Sequence, residues 1–596
     1  MPTGGGKSIT FQVPALAMSG VCLVITPLIA LMKDQVRNLR SRGILAHCIT
    51  SDMHHDQMLA AYDNCIFGQA KFLYVSPERL KSDFFLSKLA QMDVSLLVVD
   101  EAHCISQWGY DFRPAYLQIA DLRQLLPNVP VLALTATATP RVAEDIMNRL
   151  LFREHNVFKV SFARQNISYV VRHTDSKENQ LIDILNNVPG SSVVYVRNRR
   201  RTREYAELLQ AIGISAEFFH AGLEPQEKSK RQENWTSGKT RVIVSTNAFG
   251  MGIDKPDVRS VIHIDPPSSI EAYFQEAGRA GRDGLRSYAV LLVGEKDASM
   301  LRRHATESFP PKDEIIKIYN AVCNRFEIGV GCGAEHTESF NLEKFCLSTH
   351  RNVAQTYGAL AILSRAGYMH YEPNVEFSSR LMFVVDRRQL YSVEEHYPHL
   401  SPIIKSVLRL YTGLFMEYAT IDEARIGRGC ALSRQDAYER LCEMDRLGFV
   451  SYNPQKKSSF VTWLCDRVEE RFLVISPEVY DLRIAETKNR VEQMIHYFSQ
   501  TDECRSRVML RYFGDNEATD CGHCDVCIAR KKQVAPTVPL AEIESRIIEC
   551  LSNSPMLYAD LAQHINVPHQ DFALAVRNLI SDGKVFMANN GMCSAE

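Results

Sequence analysis

The sequence predicts an α/β protein: two tandem lobes, each built on a parallel sheet, followed by helix-rich domains, one of them gathered around cysteines. Three observations lead there. Short apolar runs alternate with helix-like segments, and the alternation restarts once before residue 200. Four cysteines crowd into residues 504–527. One plan, an amphipathic helix stopped by glycine and followed by a short strand, recurs three times in the second half.

A chain of 596 residues has room for about three to five domains, each with its own core. Its composition, 45% hydrophobic and 23% charged, is that of ordinary globular protein. A net charge of −2 excludes a global basic field, so any surface for nucleic acid must be local. No apolar run reaches the roughly 18 residues a membrane span needs, and no basic-then-apolar leader is visible, so no membrane partner is expected. Of the 16 cysteines, those outside the cluster are scattered as reduced thiols would be, which predicts a reducing, cytoplasmic compartment.

The apolar runs at 21–26, 72–75, 95–99 and 131–134 predict the strands of the first lobe, residues 1–165. Those at 192–196, 216–219, 241–245, 260–264 and 288–293 predict the second, residues 166–305. Continuous apolar runs separated by helical stretches are what strands buried on both faces require.

Residues 1–8 form a glycine-rich turn of the kind that wraps phosphates. The backbone N–H groups of Gly4, Gly5 and Gly6 would point at the phosphates, Lys7 would reach the β/γ oxygens, and Ser8 would hold Mg²⁺. Such a loop joins a buried strand to a helix, and no residues for that strand precede it here, so the first lobe is expected to lack its first strand. Asp100-Glu101-Ala102-His103 follows the apolar run ending at Val99. An acidic pair at the carboxyl end of a buried strand lies beside the phosphate loop, where Asp100 can hold Mg²⁺ and Glu101 can orient and deprotonate the attacking water. In the second lobe, Gln275 opens a segment that carries Arg279 and Arg282. Two arginines three apart on a helix face the same way, and across a cleft one could neutralise charge on a γ-phosphate in the transition state. ATP would close such a cleft and hydrolysis would release it, the cycle of a motor.

Behind the acidic box lies an aromatic loop, residues 104–114. Trp108 and Phe112 offer faces on which bases stack, worth roughly 1–3 kcal/mol per base, and Arg113 can meet a phosphate. A hydrophobic patch that merely seals the lobe is the alternative.

These segments resemble the RecQ family of superfamily 2 DNA helicases. The resemblance runs in order through residues 1–8, 26–35, 76–80, 100–103, 134–140, 219–223, 248–256 and 275–284, and the aromatic loop is the family's distinguishing piece. It implies RecA-like lobes, an aromatic loop that senses single-stranded DNA, and His103, Gln107, Thr135 and Thr137 as couplers between DNA and nucleotide. It also implies that Asp254, Gln275, Arg279 and Arg282 line the cleft, with Arg282 as the finger. The family's adenine-recognising element is not among these residues. The implied activity is ATP-dependent 3′–5′ unwinding in DNA repair, recombination and replication, including the SOS response. The implied partners are single-stranded DNA, duplex junctions and single-stranded DNA-binding protein, met by a monomer in the bacterial cytoplasm at the nucleoid. A catalytically impaired DNA-binding or strand-annealing scaffold is the alternative.

Cys504 precedes Cys521, Cys524 and Cys527. Thiolates two residues apart on a tight turn take adjacent corners of a tetrahedron and a distant fourth closes it, which describes a structural Zn²⁺ site without catalytic water. Unligated thiols and an iron–sulfur cluster are the alternatives. His523 reads as a solvent-facing turn residue. The spacing resembles the family's zinc module, assigned to residues 486–535. The three helix–glycine–strand copies, stopped at Gly367, Gly448 and Gly583, outline winged helices: two in an insertion at 306–485 and one at 536–596. The last is expected to contact DNA by analogy with the family. The inserted pair, whose charges are mixed, could equally serve protein contact.

Overall fold

The computed structural model describes residues 1–596 apart from 2–4, 51–52, 54, 107, 110–111, 250–254, 377–378, 412, 416–417, 454–456, 535–538, 566, 568, 589–590 and 596. No helix among the described residues is long and apolar enough to cross a membrane.

The first sheet is parallel, with strands in the order Ala46–Ile49, Phe72–Val75, Val21–Ile25, Val94–Val99 and Val131–Ala133. Its side chains alternate between two cores. Leu23, Ile25, Leu73, Leu97 and Val99 enter one, while Cys22, Val24, Phe72, Tyr74 and Val98 enter the other. Burial on both faces is why these strands read as unbroken apolar runs. Along the edge strand Val131–Ala133 lies a groove of about 920 Å³, lined by Leu132, Ile146, Phe158 and Phe513 among others.

The second sheet has six parallel strands in the order Ile167–His173, Ser287–Val293, Val258–His263, Ser191–Tyr195, Val242–Ser245 and Ala216–Phe219. Trp235 is sealed beneath it and donates its indole N–H to the Ser192 carbonyl at 3.2 Å. Two strands, Ala46–Ile49 and Ile167–His173, answer to no run singled out in the sequence. Both are sheet edges, where polar residues are tolerated and the apolar signal thins.

Among the described residues, the accessory half contains three winged helices, and the inserted two are nested rather than consecutive. Helices Lys312–Arg325, Leu342–Thr349 and Val353–Arg365 pack on a sheet ordered Thr337–Ser339, Lys457–Trp463, Met369–Glu376. Met369–Glu376 and Lys457–Trp463 pair antiparallel, with Glu376 opposite Lys457. The second unit is threaded between those two strands, at the tip of the first unit's wing. It comprises Ser379–Phe383, Ser401–Leu410, Ala419–Ile421, Glu423–Gly429, Arg434–Arg446 and Val450–Asn453, with its own core of Leu381, Ile404, Leu441 and Val450. Asn352 caps one third helix, and a Ser433–Asp436 capping box starts the other. The third unit packs Leu540–Asn553, Tyr558–Ile565 and His569–Ser581 against three short strands. Gly367, Gly448 and Gly583 sit at φ of +81°, +77° and +76°, the left-handed stops the three copies called for.

Between the second and third winged helices, Asp481–Ser499, Arg505–Tyr512 and Asp525–Val534 carry the cysteines. The boundary expected at 485 falls inside the first of these helices. Its far half shares one core with the second lobe: Met494, Tyr497 and Phe498 pack with Tyr169, Tyr273 and Phe274. Arg505 clamps Asp525 at 3.1–3.2 Å, and Asp525 accepts the Val171 N–H of the lobe's edge strand at 3.1 Å.

Candidate nucleotide, DNA and metal sites

Gly6 adopts φ +80° just ahead of helix Lys7–Ala17, and a Cβ there would meet nothing within 4 Å. The left-handed turn aims the helix's free N–H groups outward, where the dipole favours an anion. Gly4 lies outside the described residues; Gly5 flanks the turn. Lys7 Nζ stands 3.5 Å from Glu101 Oε1. Ser8 Oγ accepts the Gln35 amide at 2.8 Å, and Gln35 in turn accepts from Gln12 at 2.9 Å. Gln12 and Gln35 escaped sequence reasoning as site residues. Gln35 closes the 26–35 segment of the resemblance without a role of its own there, and Gln12 carried no signal beyond being polar among apolar helix neighbours.

The strand Val94–Val99 delivers Asp100 and Glu101 to the same place. Glu101 is held at φ +47°, a left-handed strain of order 1–3 kcal/mol for a non-glycine residue. Its N–H donates to Asp100 Oδ1 at 2.9 Å, and Tyr116 donates its hydroxyl to the Asp100 carbonyl at 3.0 Å. Burial first, then the Glu101 charge, pushes the Asp100 carboxyl up to about 6. Burial acts on Glu101 in the same sense, but Lys7, His103 and Arg279 together outweigh it and keep that carboxyl below its ordinary range. A buried carboxylate pair reached by the phosphate-loop lysine is a fit site for a divalent cation.

His103 is fully buried. Its Nδ1 lies 3.0 Å from Thr135 Oγ1, 3.4 Å from Thr137 Oγ1 and 3.4 Å from Glu101 Oε2. Two of the expected coupling residues, Thr135 and Thr137, thus meet at the imidazole of a third, and that imidazole alone touches the Glu101 carboxylate. Gln107 and Asp254 lie outside the described residues.

The second lobe's arginines sit differently from expectation. Helix Ile270–Ala277, which carries the buried Gln275, stops at Gly278. Arg279 and Arg282 therefore occupy a turn, not a helix face. The glycines explain it, since Gly281 takes φ +55°. Arg164 pins the turn through the carbonyls of Gly278, Ala280 and Gly281 at 3.0–3.1 Å, and Asn166 bonds the last of these at 2.6 Å. Arg164 and Asn166 had no signal in the sequence, because backbone carbonyls as partners leave none. Arg279 is buried, and its charge acts on Glu101 of the other lobe. The charge of Arg282 is felt by Tyr195 and Arg164.

In the aromatic loop, Gln107, Tyr110 and Asp111 lie outside the described residues. Trp108 is half-buried with the Arg141 guanidinium 3.6 Å over its ring. Arg483 stands 5.2 Å over Phe112. Arg113 donates to the Pro27 carbonyl at 3.3 Å.

The sulfurs of Cys504, Cys521, Cys524 and Cys527 lie within 4.8 Å of one another, with 3.9 Å between Cys504 and Cys524. A tetrahedron of bonds near 2.3 Å has edges of about 3.8 Å, so the set fits Zn²⁺. The N–H groups of Cys521 and Cys527 donate to Cys504 and Cys524 at 3.2 and 3.4 Å, which spreads thiolate charge into the backbone. His523 is half-buried rather than wholly solvent-facing: its Nδ1 lies 3.4 Å from Ser168 Oγ of the second lobe. Docking the module on the edge strand brings the ring against Ser168.

A phosphate loop in one parallel-sheet lobe, with an arginine of a turn in the other acting on its acidic pair, marks a two-lobed nucleotide-binding protein. Family models agree segment by segment. The DEAD/DEAH box helicase model matches residues 1–146 and the helicase conserved C-terminal domain 176–284. The RecQ helicase winged-helix domain of Bacteroidota matches 381–454, which is the nested unit, and the RecQ zinc-binding model matches 466–528, including all four cysteines. The ATP-dependent DNA helicase RecQ of Bacillus subtilis is 43% identical over 305 residues, 51% of this chain and 51% of that protein. RecQ of Pasteurella multocida is 41% identical over 304 residues, 51% and 48%. The probable ATP-dependent DNA helicase RecS of B. subtilis is 43% identical over 303 residues, 50% and 60%. The chain spans about half the length of these relatives. Its parts match the RecQ winged-helix and zinc-binding family models, and its four cysteines form a set that fits Zn²⁺.

Proposed function

We propose that this chain is an ATP-dependent DNA helicase. It uses hydrolysis between two lobes to move 3′ to 5′ along one strand and to part duplex DNA at junctions, in repair and recombination. The observation that carries the reading is the convergence on Glu101. Lys7 from the phosphate loop touches that carboxylate at 3.5 Å, His103 at 3.4 Å, and the charge of Arg279 reaches it from the second lobe. One group therefore feels the nucleotide, the DNA-side threonines and the closing of the cleft.

ATP is the substrate. Gly5, Gly6 and Lys7 bind its phosphates, and Ser8 and Asp100 would hold the Mg²⁺, which would supply neutralisation of phosphate charge. Glu101, ionised, orients the attacking water and takes its proton. Arg279 and Arg282 meet the charge that develops on the γ-phosphate. His103 passes the state of Glu101 to Thr135 and Thr137. Zn²⁺ supplies a fold clamp only, since all four positions are sulfur and no site is left for water. The RecQ relatives support DNA rather than RNA as the track. By the same kinship we propose a cytoplasmic, nucleoid-associated monomer that works with single-stranded DNA-binding protein.

The test is ATP hydrolysis and strand separation on 3′-tailed, 5′-tailed and RNA duplexes, with Glu101→Gln as the control. Unwinding restricted to the 3′-tailed DNA and abolished in the variant is the expected result. Hydrolysis stimulated more by RNA than by DNA would reject the reading.

A further inference from the structure

The aromatic loop does not present bare rings. Arg141, from helix Pro140–Arg149 of the first lobe, lies 3.6 Å over Trp108. Arg483, from helix Asp481–Ser499, lies 5.2 Å over Phe112. A second arginine of that helix, Arg490, donates to the Trp108 carbonyl and stands 3.5 Å from Glu271 of the second lobe. Arg365 ends the third helix of the first inserted winged helix. Its charge reaches Arg483, whose guanidinium is pushed down to about 10 by burial and by Arg365 and Arg490.

The acidic side is short. Glu486 is shared by Arg141 at 3.8 Å and Arg490 at 3.5 Å, and Glu271 faces Arg490. No carboxylate among the described residues pairs with Arg365 or Arg483. Gathered guanidiniums without counter-charge repel one another and lose hydration, a disadvantage that an incoming anion removes. The ligand that fits must bring anions and flat faces together. An acidic peptide supplies the first alone; a single strand of nucleic acid supplies both.

We propose that Arg141, Arg365 and Arg483 form a phosphate-binding track for single-stranded DNA along the aromatic loop, so that the inserted winged helix takes part in gripping the translocated strand. The inference rests on the DNA-motor reading above. On binding, bases take the ring faces of Trp108 and Phe112, and the displaced guanidiniums pair with the phosphates beside them. Arg490 is a positioning residue: it holds the loop's backbone against the second lobe.

Binding of fluorescein-labelled oligothymidylate to the full chain, followed across a salt series, tests this. Of the three tryptophans, Trp235 and Trp463 are 1% and 0% exposed, so quenching of intrinsic fluorescence by the oligonucleotide reports Trp108, and Trp108→Phe should remove it. R365Q/R483Q should weaken binding about tenfold or more and flatten the log–log salt slope by about 1.4, roughly 0.7 per lost phosphate contact. R365K/R483K should keep most of the slope. Arg365 is exposed, so R365Q alone guards against a folding defect and should flatten the slope by about 0.7. An unmodified chain that binds no oligothymidylate would sink the DNA reading itself. Binding by the unmodified chain, with R365Q/R483Q equal in affinity and slope, would overturn this inference alone. Displacement of the strand by polyglutamate of equal charge at equal concentration would overturn it in favour of an acidic protein partner.

Discussion

Lys7 Nζ rests 3.5 Å from Glu101 Oε1, and both side chains are largely buried, at 16% and 10% exposure. The cation proposed to meet the γ-phosphate is thus held by the carboxylate proposed to activate water, and nucleotide must part them. Lys7→Ala is expected to remove phosphate binding and to leave Glu101 without its nearest counter-charge. A loss of hydrolysis of about 100-fold or more, with loss of binding of a fluorescent ADP analogue, is the expected outcome. Glu101→Gln should differ by keeping nucleotide binding while losing hydrolysis to a similar degree. Parallel titrations of the two variants check the distinction.

Asp100 carries a pH signature. Its carboxyl is raised to about 6 in the folded chain, by burial and by the neighbouring Glu101, against about 3.9 when unfolded. Above pH 6 the ionised buried group destabilises the fold. As pH falls through 6 the folded chain takes up a proton that the unfolded chain lacks, and the disadvantage fades until it vanishes below about 4. Asp100→Asn should therefore raise the unfolding temperature at pH 7.5 in buffer without Mg²⁺ or nucleotide, by an amount corresponding to order 1–3 kcal/mol. That gain should be absent at pH 4. Hydrolysis by the unmodified chain should fall as pH drops through 6, because a protonated Asp100 no longer attracts Mg²⁺. Melting scans of both proteins across this range make the comparison.

What could be read from residues alone followed burial and local spacing. Val94–Val99 and Val242–Ser245 announce themselves because both faces are apolar, whereas the edge strands Ala46–Ile49 and Ile167–His173 do not. The cysteine set was legible because thiolate spacing is itself the chemistry. The glycine stops of the winged helices were legible for the same local reason. Nesting was not, since no local pattern in Met369–Glu376 says that its partner strand begins at Lys457. Nor was the arginine turn: spacing suits a helix until Gly278 ends it. Arg164, Arg483 and Arg490 act over more than a hundred residues of chain, on backbone carbonyls and ring faces that carry no residue-type signal.

Zinc removal should disturb more than its own module. Tyr497, Phe498 and Phe513 share a core with Tyr273 and Phe274 of the second lobe, and Asp525, one residue after Cys524, bonds that lobe's edge strand. Cys527→Ser, or prolonged chelation, should lower the unfolding temperature of the second lobe and increase amide exchange in Ile167–His173. Metal analysis of the unmodified chain should return about one zinc per chain with no visible absorbance. A brown, iron-containing preparation would instead indicate a cluster.

The nested winged helix should be removable without loss of the fold that carries it. Glu376 and Lys457 face each other as an antiparallel pair, so the two chain ends left by cutting out residues 377–456 are already at hairpin distance. An Asn-Gly turn closes such a pair with the twist the strands need. The excised unit keeps its own core of Leu381, Ile404, Leu441 and Val450, separate from the core of Phe345, Leu360 and Trp463 beneath the first unit. The shortened chain is therefore expected to melt as cooperatively as the original, to keep its Zn²⁺, and to keep the salt slope of single-strand binding set by Arg365 and Arg483. Only contacts made by the excised unit itself should go. Circular dichroism melts and the oligothymidylate titration decide the matter: a collapse of the first winged helix would mean that the two units share stability that their separate cores do not reveal.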